Sequence, residues 1–225
     1  MSFETEILYL RKRIAEHGII LSSVQAEHFR IYLSELMNWN RKINLIGLSN
    51  PLKVITELFY DSLMPSSFLP TQGKMLDVGS GAGIPGLLIK IIRPDLETHL
   101  LEPNRKKNSF LKHIIRLLQL EKIMVVMGRI ENHGNQLTSG DYDLITVRAL
   151  TNLETAINWC ASFLKPDGLI VFFFGEEVEQ PIYQAGHEIR KNNLFIEKQI
   201  VYQVPESKTK RHIVIFQKLG GPSSH

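Results

Sequence analysis

The feature that most constrains the fold is a regular alternation of apolar runs and helical patterns that begins near residue 75. Five apolar runs have the length and composition of buried strands, and helical spacing of apolar residues separates most of them. Strands joined by helices of this length form right-handed crossovers, so we expect a mostly parallel sheet with helices on both faces. The runs are residues 75–78, 98–101, 123–127, 144–147 and 169–174, and the helical patterns are residues 85–92, 108–120 and 153–164.

The two ends of the chain depart from this alternation. Residues 1 to about 70 carry three helical patterns: Gly18 ends the first, Ser22 caps the second and Pro51 begins the third. Toward the other end, a helical pattern precedes two strand runs that are close enough in sequence to form an antiparallel hairpin. The sequence thus predicts an α/β fold whose mostly parallel sheet ends in a hairpin. We expect a helical region at 1–70 packed on a core at 71–219, then a flexible tail at 220–225.

Composition and cysteine content exclude several classes of protein. With 225 residues, 44% of them hydrophobic, the chain can bury a large core, which excludes disorder and disulfide-stapled mini-proteins. Cys160 is the only cysteine and no two histidines have helical ligand spacing, so we expect no protein-bound metal. The longest apolar run is far shorter than the roughly 20 residues of a membrane span, and the first residues are acidic where a signal peptide is basic. We therefore expect a cytoplasmic monomer with no membrane partner.

The distribution of charge is more informative than the net charge of +3. Two basic segments, 104–120 and 208–218, contain no acidic residue. Such segments suit a polyanionic partner, because basic side chains contact phosphates and release counterions. The alternative is that they are solvated faces of a helix and a loop, so charge alone leaves a nucleic-acid partner open. Their basic residues are Arg105, Lys106, Lys107, Lys112, Arg116, Lys208, Lys210, Arg211 and Lys218.

A glycine-rich segment follows the first predicted strand. The sequence MLDVGSGAGIPGLLIK (75–90) ends the strand near Asp77 and then carries Gly79, Gly81, Gly83 and Gly86. Glycines at such positions let the backbone turn sharply and approach a ligand closely. The start of the next helix supplies unpaired N–H groups for an anionic part of that ligand. The segment therefore predicts a ligand site at the carboxyl edge of the sheet.

The identity of this ligand is constrained by the proline within the segment. GAGIPG (81–86) satisfies the glycine spacing of a dinucleotide fingerprint, so the pattern alone does not reject NAD. Pro85, however, has no N–H to donate to a pyrophosphate, and the chain has no G-x-x-x-x-G-K-[ST] motif for a nucleoside triphosphate. S-adenosylmethionine carries a carboxylate, an ammonium and an adenosine but no phosphate. It is therefore the favoured ligand.

Acidic residues follow three successive strand runs. Asp77 is expected near the cofactor ammonium, Glu102 near the ribose hydroxyls, and Glu131 near the adenine amino group. The alternative is that Asp77 caps a loop and that the two glutamates are exposed acids at helix starts. Acids at three neighbouring strand ends favour the first interpretation, because this edge of a doubly wound sheet is where ligands bind.

Several segments together resemble a known family. LDVGSGAGIPG, NRKKNSFL, GRIE and VRAL, with WNRKINL (39–45), DSL (61–63) and RHIVIFQK (211–218), are similar to the RsmG/GidB family of bacterial ribosomal RNA methyltransferases. The resemblance implies a Rossmann-like class I methyltransferase fold with a short helical N-terminal region. It also implies methyl transfer from S-adenosylmethionine to N7 of one guanine in 16S ribosomal RNA, so the expected partner is that RNA or the small ribosomal subunit.

The resemblance also implies site residues. Lys106, Arg129 and Arg211 match basic positions beside the RNA-facing cleft, and we expect Lys107 to contact phosphates with them. The chain departs from the family at Leu58, where a histidine is usual, and at Phe174, where many members have lysine. The expected cofactor-binding residues are Asp77, Gly79, Gly81, Gly83, Ile84, Glu102, Ile130, Glu131 and Arg148.

The expected chemistry needs no general base, because N7 of neutral guanine already carries a free lone pair. Orientation of the two reactants can contribute roughly 7–11 kcal/mol. We expect Arg148 to position the base by holding O6, a phosphate or the cofactor carboxylate, never N7, although a helix-start salt bridge is its alternative role. An aromatic platform for the base is expected at Phe173, Phe174 or Tyr142. Rival functions are a methyltransferase for a small molecule or protein, a non-catalytic nucleotide-binding regulator, and an NAD enzyme.

Overall fold

The computed structural model describes residues 2–132 and 137–220. Its centre is a seven-stranded sheet in the order β3-β2-β1-β4-β5-β7-β6. The first five strands are parallel, and β7 runs antiparallel to both β5 and β6. The predicted parallel sheet with a terminal hairpin is confirmed. The strands are β1 (Gly73–Val78), β2 (Leu96–Leu101), β3 (Ile123–Val126), β4 (Tyr142–Arg148), β5 (Leu164–Phe174), β6 (Leu194–Gln203) and β7 (Lys210–Lys218).

The N-terminal region is helical, as predicted. Helix α1 (Glu4–Ala15) is followed by α2 (Ser23–Ile43), which begins at a reciprocal capping box between Ser22 and Gln25. The third helical pattern forms α3 (Pro51–Val54), a π-helical turn (Ile55–Tyr60) and α4 (Asp61–Leu63) in succession. A short 3-10 turn at Ser66–Phe68 then leads to the sheet.

The helices after β1 differ from the predicted bounds in their ends. Helix α6 (Arg105–Leu117) begins three residues earlier than expected, because the Asn104 side chain accepts hydrogen bonds from the Lys106 and Lys107 amides. The helical pattern that precedes the predicted hairpin, at residues 178–192, divides at Ala185 into two short helices, α8 (Glu179–Gln184) and α9 (Gly186–Lys191). The remaining helices after β1 are α5 (Gly86–Ile92) and α7 (Leu153–Cys160), and 3-10 turns lie at Ile130–Asn132 and Ala161–Phe163.

The N-terminal helices share a hydrophobic core with one face of the sheet. Phe29 and Phe59 from the N-terminal region are fully buried in the same cluster as Leu87 of α5, Phe110 of α6 and Ile213 of β7. Helices α7 and α9 contribute to a second cluster on the opposite face. The helical region is thus part of one continuous fold with the sheet.

The sequence predicted no membrane span, no protein-bound metal and a flexible tail. In the described ranges, no helix is long and apolar enough to cross a membrane. Within those ranges we also find no group of three metal-ligating side chains. Residues 221–225 of the predicted flexible tail lie outside the described residues.

Candidate cofactor and RNA site

The glycine loop lies at the carboxyl ends of β1, β2 and β4, as predicted. Gly79, Gly81 and Gly83 have φ angles of +71°, +59° and +90°, which L side chains rarely adopt. Gly86 is required for a different reason, since a Cβ there would lie 2.5 Å from Asp77 Oδ2. The loop therefore packs directly on the strand-end carboxylate.

Asp77 is a buried carboxylate with one oxygen incompletely hydrogen-bonded. Thr146 Oγ1 donates to Asp77 Oδ1 at 2.7 Å, whereas Asp77 Oδ2 lies buried against the backbone of Gly86 without a hydrogen bond of full geometry. Burial raises the pKa of Asp77 from 3.8 to about 6, against the lowering effect of the Thr146 hydrogen bond. A buried carboxylate with incomplete hydrogen bonding is costly in isolation, and a cationic group placed near it would reduce that cost. The Asp77 carboxylate therefore fits as the negative charge near the ammonium of S-adenosylmethionine.

Glu102 is buried at the end of β2 and is held by two backbone amides. Gly81 N donates to Glu102 Oε2 at 2.8 Å, and Asn104 N donates to Glu102 Oε1 at 2.8 Å. Its exposed fraction is 4%, so the alternative of an exposed helix-start acid is wrong for this residue. Each carboxylate oxygen keeps further acceptor capacity, which fits the hydroxyl donors of a ribose.

The residues expected around adenine follow β3. Ile130, which the resemblance implies at the adenine, is buried at the start of a 3-10 turn. Ile84 of the glycine loop, which the resemblance implies at the methionine end of the cofactor instead, is also buried. Glu131 is more exposed and pairs with Arg129, with 3.4 Å between Arg129 Nη1 and Glu131 Oε1. This placement is compatible both with the adenine contact and with the exposed helix-start acid that was its alternative.

Arg148 does not stand free at the end of β4. Its guanidinium forms an ion pair with Asp61 and donates to the Glu57 carbonyl at 3.0 Å, so its partners belong to the N-terminal region. The guanidinium also lies over the Phe173 ring, 5.5 Å from its centroid. The predicted alternative of a salt bridge is therefore present, but it joins two distant segments instead of closing a helix start.

Asp61 is the shared partner of a buried polar cluster. It is 1% exposed and accepts hydrogen bonds from Tyr202 and from Arg211 Nη1, the latter at 3.2 Å, besides its ion pair with Arg148. Burial and the neighbouring carboxylate raise the pKa of Tyr202, so its hydroxyl stays protonated. We refer to Asp61, Glu57, Arg148, Tyr202 and Arg211 as the Asp61 cluster.

Arg211 is placed differently from the other expected RNA contacts. Its charge faces Asp61 and Glu57, and its side chain is 20% exposed. Strand β7 is separated from β2, which precedes Lys106 and Lys107, by three intervening strands. At about 4.8 Å per strand, Arg211 lies too far away to share one phosphate with those lysines. The structure therefore does not bring the four expected RNA-binding residues together.

Two positions that depart from the family lie in packed surroundings. Leu58 packs against the N-terminal core cluster, and Phe174 lies beside Phe172 with ring centroids 6.3 Å apart. Tyr142 is fully buried with its hydroxyl 2.7 Å from His99 Nδ1, so the expectation that it could be a base platform is wrong. Phe173 lies beside Arg148.

The sequence did not predict that Asp61, Glu57 and Tyr202 form one cluster with Arg148 and Arg211. Asp61 and Tyr202 are 141 residues apart, and no local pattern links them. The available signal was the DSL segment, in which an aspartate lies beside the apolar residues of a helical pattern. An aspartate next to a buried leucine in a short helix predicts a cationic partner from elsewhere in the chain.

Comparison with known proteins decides the family. The family model described as GidB, rRNA small subunit methyltransferase G, matches residues 25–214. The chain belongs to the GidB family. A member from Desulfotalea psychrophila, named ribosomal RNA small subunit methyltransferase G, is 34% identical over 89% of this chain and 93% of its own. A GidB-family relative of the same name from Staphylococcus epidermidis is 29% identical over 94% of this chain and 90% of its own.

Solved structures confirm the Rossmann-like methyltransferase fold of this GidB-family chain. M. jannaschii TYW2 in complex with AdoMet aligns with a TM-score of 0.59 over 79% of each chain, at 16% identity. A SAM-dependent methyltransferase from Aquifex aeolicus aligns with a TM-score of 0.58 over 78% of this chain and 97% of its own, at 15% identity. At these identities the likeness concerns the fold alone.

Proposed function

We propose that this chain transfers the methyl group of S-adenosylmethionine to N7 of one guanine in the 16S RNA of the small ribosomal subunit. The observation that carries the proposal is the pair of buried carboxylates around the glycine loop. Asp77 supplies a buried negative charge for an ammonium, and Glu102 has two fixed oxygens for a diol. The GidB-family membership supplies the substrate class.

The cofactor site distinguishes S-adenosylmethionine from a dinucleotide. The Gly81 N–H is occupied by Glu102, and Pro85 immediately before α5 has no N–H, so two groups that would bind a pyrophosphate are not available. Two buried carboxylates would also repel phosphate charge. In the proposed complex, Gly79 and Ile84 contact the methionine portion, Gly83 allows the close approach, and Ile130 with Glu131 contact the adenine.

The proposed mechanism is direct methyl transfer without a general base. The bound cofactor supplies an electrophilic methyl group on a sulfonium. The protein then has to hold the guanine so that its N7 lone pair faces that carbon. Holding the two reactants in this orientation by itself accelerates methyl transfer. Arg148 keeps unused N–H donors beyond its bonds to Asp61 and Glu57, and these would hold guanine O6 or a phosphate while N7 remains free. Phe173 beside it would stack on the base.

RNA binding is proposed for the exposed cations near the same edge. Lys106, Lys107 and Arg129 would contact phosphates and set affinity without reading sequence. Arg211 would act through the Asp61 cluster instead. The protein would work as a monomer in the cytoplasm, where the ribosomal subunits are.

The deciding experiment uses methyl-labelled S-adenosylmethionine with 16S RNA as naked RNA, as 30S subunits and as 70S ribosomes. Label recovered as N7-methylguanine at one position supports the proposal, and the preferred particle identifies the substrate. Label on another atom, or on a protein or small molecule only, contradicts it. Absence of S-adenosylhomocysteine binding would favour the regulator instead.

A further inference from the structure

A buried tyrosine of the N-terminal region reaches the glycine loop. Tyr32 lies on α2, is fully buried, and donates a hydrogen bond from its hydroxyl to the Ala82 carbonyl at 2.6 Å. Burial raises the pKa of Tyr32, and the charge of Asp77 acts in the same direction, so the hydroxyl stays protonated. The loop therefore has a permanent hydrogen-bond donor behind it, from a residue 50 positions away in the sequence.

This hydrogen bond holds one peptide unit of the loop at the second of its two polar ends. The peptide between Ala82 and Gly83 accepts from Tyr32 through its carbonyl, and its N–H donates to the Ser80 carbonyl at 2.7 Å. Gly83 has φ of +90°, and because glycine also adopts negative φ, rotation of this peptide meets little steric resistance there. The Tyr32 hydroxyl therefore selects one of the orientations that the backbone allows.

The orientation of this peptide affects the proposed cofactor site. Gly81 lies inside the turn that the hydrogen bond between Gly83 and Ser80 closes, and its amide donates to Glu102 Oε2 at 2.8 Å. Rotation of the peptide between Ala82 and Gly83 would break the closing bond, so the turn would no longer hold the Gly81 amide in place. Glu102 is the proposed acceptor for the ribose hydroxyls. A loosened turn is therefore expected to weaken cofactor binding.

The ring of Tyr32 connects the same loop to the Asp61 cluster. It stacks on the Phe59 ring, with centroids 5.3 Å apart and an angle of 22° between the ring planes. Phe59 is fully buried and belongs to the π-helical turn at Ile55–Tyr60. That turn presents the Glu57 carbonyl to both arginines of the Asp61 cluster, at 3.0 Å from each. Two stacked rings thus link the glycine loop to the groups proposed to hold the guanine.

We propose that Tyr32 is a positioning residue for methyl transfer. Its hydroxyl keeps the glycine loop in the orientation that binds S-adenosylmethionine, and its ring keeps that loop at a fixed distance from the Asp61 cluster. The inference rests on the proposed function and assigns the N-terminal region a part in cofactor binding and alignment. Tyr32 acts through the loop and through Phe59. Alignment matters because a displacement of about 1 Å between reacting groups can cost about 100-fold in rate.

The role of the hydroxyl is tested by Y32F against Y142F. Tyr142 is a matched control, because it is also fully buried, its hydroxyl lies 2.7 Å from His99 Nδ1, and it begins β4 at the end opposite to Arg148. In Y32F the rotated peptide becomes populated, so the Kd for S-adenosylhomocysteine should rise by about three- to tenfold. In Y142F that Kd should stay at the wild-type value. The measurement is calorimetric titration at a temperature where urea unfolding shows both variants to be folded.

The role of the stacked rings is tested by F59L against F216L. Phe216 is the matched control, since it is fully buried in the cluster on the opposite face of the sheet and packs edge-on against Phe172. F59L keeps the hydroxyl bond to the loop but loses the ring that connects Tyr32 to the π-helical turn. Its kcat at saturating RNA and cofactor should fall by about tenfold, with a smaller change in the Kd for S-adenosylhomocysteine than in Y32F. F216L should keep the wild-type kcat. F59M, which fills more of the space, replaces F59L if the leucine variant does not unfold cooperatively.

The outcomes separate this inference from the function on which it rests. If the wild type neither binds S-adenosylhomocysteine nor methylates ribosomal RNA, the proposed function fails. If the wild type does both and Y32F binds S-adenosylhomocysteine as tightly, the positioning role of the hydroxyl is wrong and the function stands. Equal increases of the Kd in Y32F and Y142F would also overturn that role, because the lost hydrogen bond would then act through general stability. A wild-type kcat in F59L would overturn the link through the stacked rings.

Discussion

At the scale of single residues, we propose that Asp77 stabilises a bound ligand at the expense of the fold. Its pKa is raised from 3.8 to about 6 by burial, so the folded state binds the proton more tightly than the unfolded state. That contribution to stability is present below about pH 4 and is lost as the pH rises through 6. At about 1.36 kcal/mol per pKa unit, the charged carboxylate lowers stability at neutral pH by about 3 kcal/mol. A residue with this cost is expected to act in binding.

The prediction is that D77N separates stability from binding. At pH 7.5 the free energy of unfolding, measured by urea denaturation, should equal or exceed that of the wild type, since asparagine stays neutral and can still accept from Thr146. The affinity for S-adenosylhomocysteine should fall by about tenfold or more, the value of a charge-assisted hydrogen bond. Wild-type affinity should increase between pH 5 and 7, and D77N should lack that dependence. A D77N protein that is less stable and binds normally would contradict this assignment.

Individual site residues were predictable from the sequence where they lie at the end of a strand. Asp77 and Glu102 follow apolar runs, and parallel strands place their ends at one edge, so their placement follows from local patterns. The partner of Arg148 was not predictable, because the ion pair depends on how α4 packs on the end of β4. No spacing in the sequence encodes that contact between residues 87 positions apart.

At the scale of elements, the Asp61 cluster joins α4, β4 and the β6–β7 hairpin. The Asp61 carboxylate is buried and shared by two guanidiniums and a hydroxyl. Removing that anion leaves the Arg148 guanidinium without a counter-charge and leaves Arg211 with Glu57 only. The Arg13–Glu206 pair also connects the N-terminal region to the hairpin turn, but its side chains are 35% and 60% exposed. The two pairs differ mainly in burial.

The prediction is that D61N lowers the free energy of unfolding by about 3 kcal/mol, whereas R13A lowers it by less than about 1 kcal/mol. The measurement is urea denaturation, with a double-mutant cycle of D61N and R148M to isolate the coupling between the two side chains. Part of the loss should be recovered in the double variant, because it carries one uncompensated cation fewer. Equal losses for D61N and R13A would show that the cluster adds nothing beyond a surface pair.

The elements themselves were predicted better than their bounds. Five apolar runs and the two strand runs of the predicted hairpin identified all seven strands, although β6 is mostly exposed. The π-helical turn at Ile55–Tyr60 was missed, because Ile55, Phe59 and Leu63 recur at a spacing that an α-helix also satisfies. That turn presents the Glu57 carbonyl to both arginines of the cluster, so the irregularity coincides with the site.

At the scale of the whole molecule, the predicted helical region at 1–70 shares its hydrophobic core with the sheet, which bears on whether the rest of the chain can fold without it. Phe110 of α6 packs its ring against Tyr32 and Trp39 of α2, at 6.2 and 5.5 Å between centroids. Tyr32 also donates to the Ala82 carbonyl of the glycine loop at 2.6 Å. Removing the helical region would expose this apolar face and leave the loop without that contact.

The prediction is that a chain lacking residues 1–70 has no cooperative unfolding transition in urea and does not bind S-adenosylhomocysteine. The exposed core surface is expected to cause aggregation or a loosely packed state. Deletion of residues 221–225 is the matched control and should leave unfolding and binding unchanged, as the predicted tail requires. A truncated chain that unfolds cooperatively and binds the ligand would establish 71–219 as an independent domain.

Ligand-linked stability tests the cofactor choice on the intact chain. A ligand at about 100 times its Kd stabilises the folded state by about 2.7 kcal/mol. For a chain of this size that corresponds to a rise in Tm of roughly 5–10 °C. We expect S-adenosylhomocysteine to produce this rise and NAD to produce none, because Glu102 already occupies the Gly81 N–H that a pyrophosphate would use. In E102Q the carboxylate charge is removed but the acceptor of that bond remains, so the rise with S-adenosylhomocysteine should shrink while NAD still has no effect. A shift with NAD in either protein would mean that the loop accepts phosphate, and the methyltransferase site would have to be rejected.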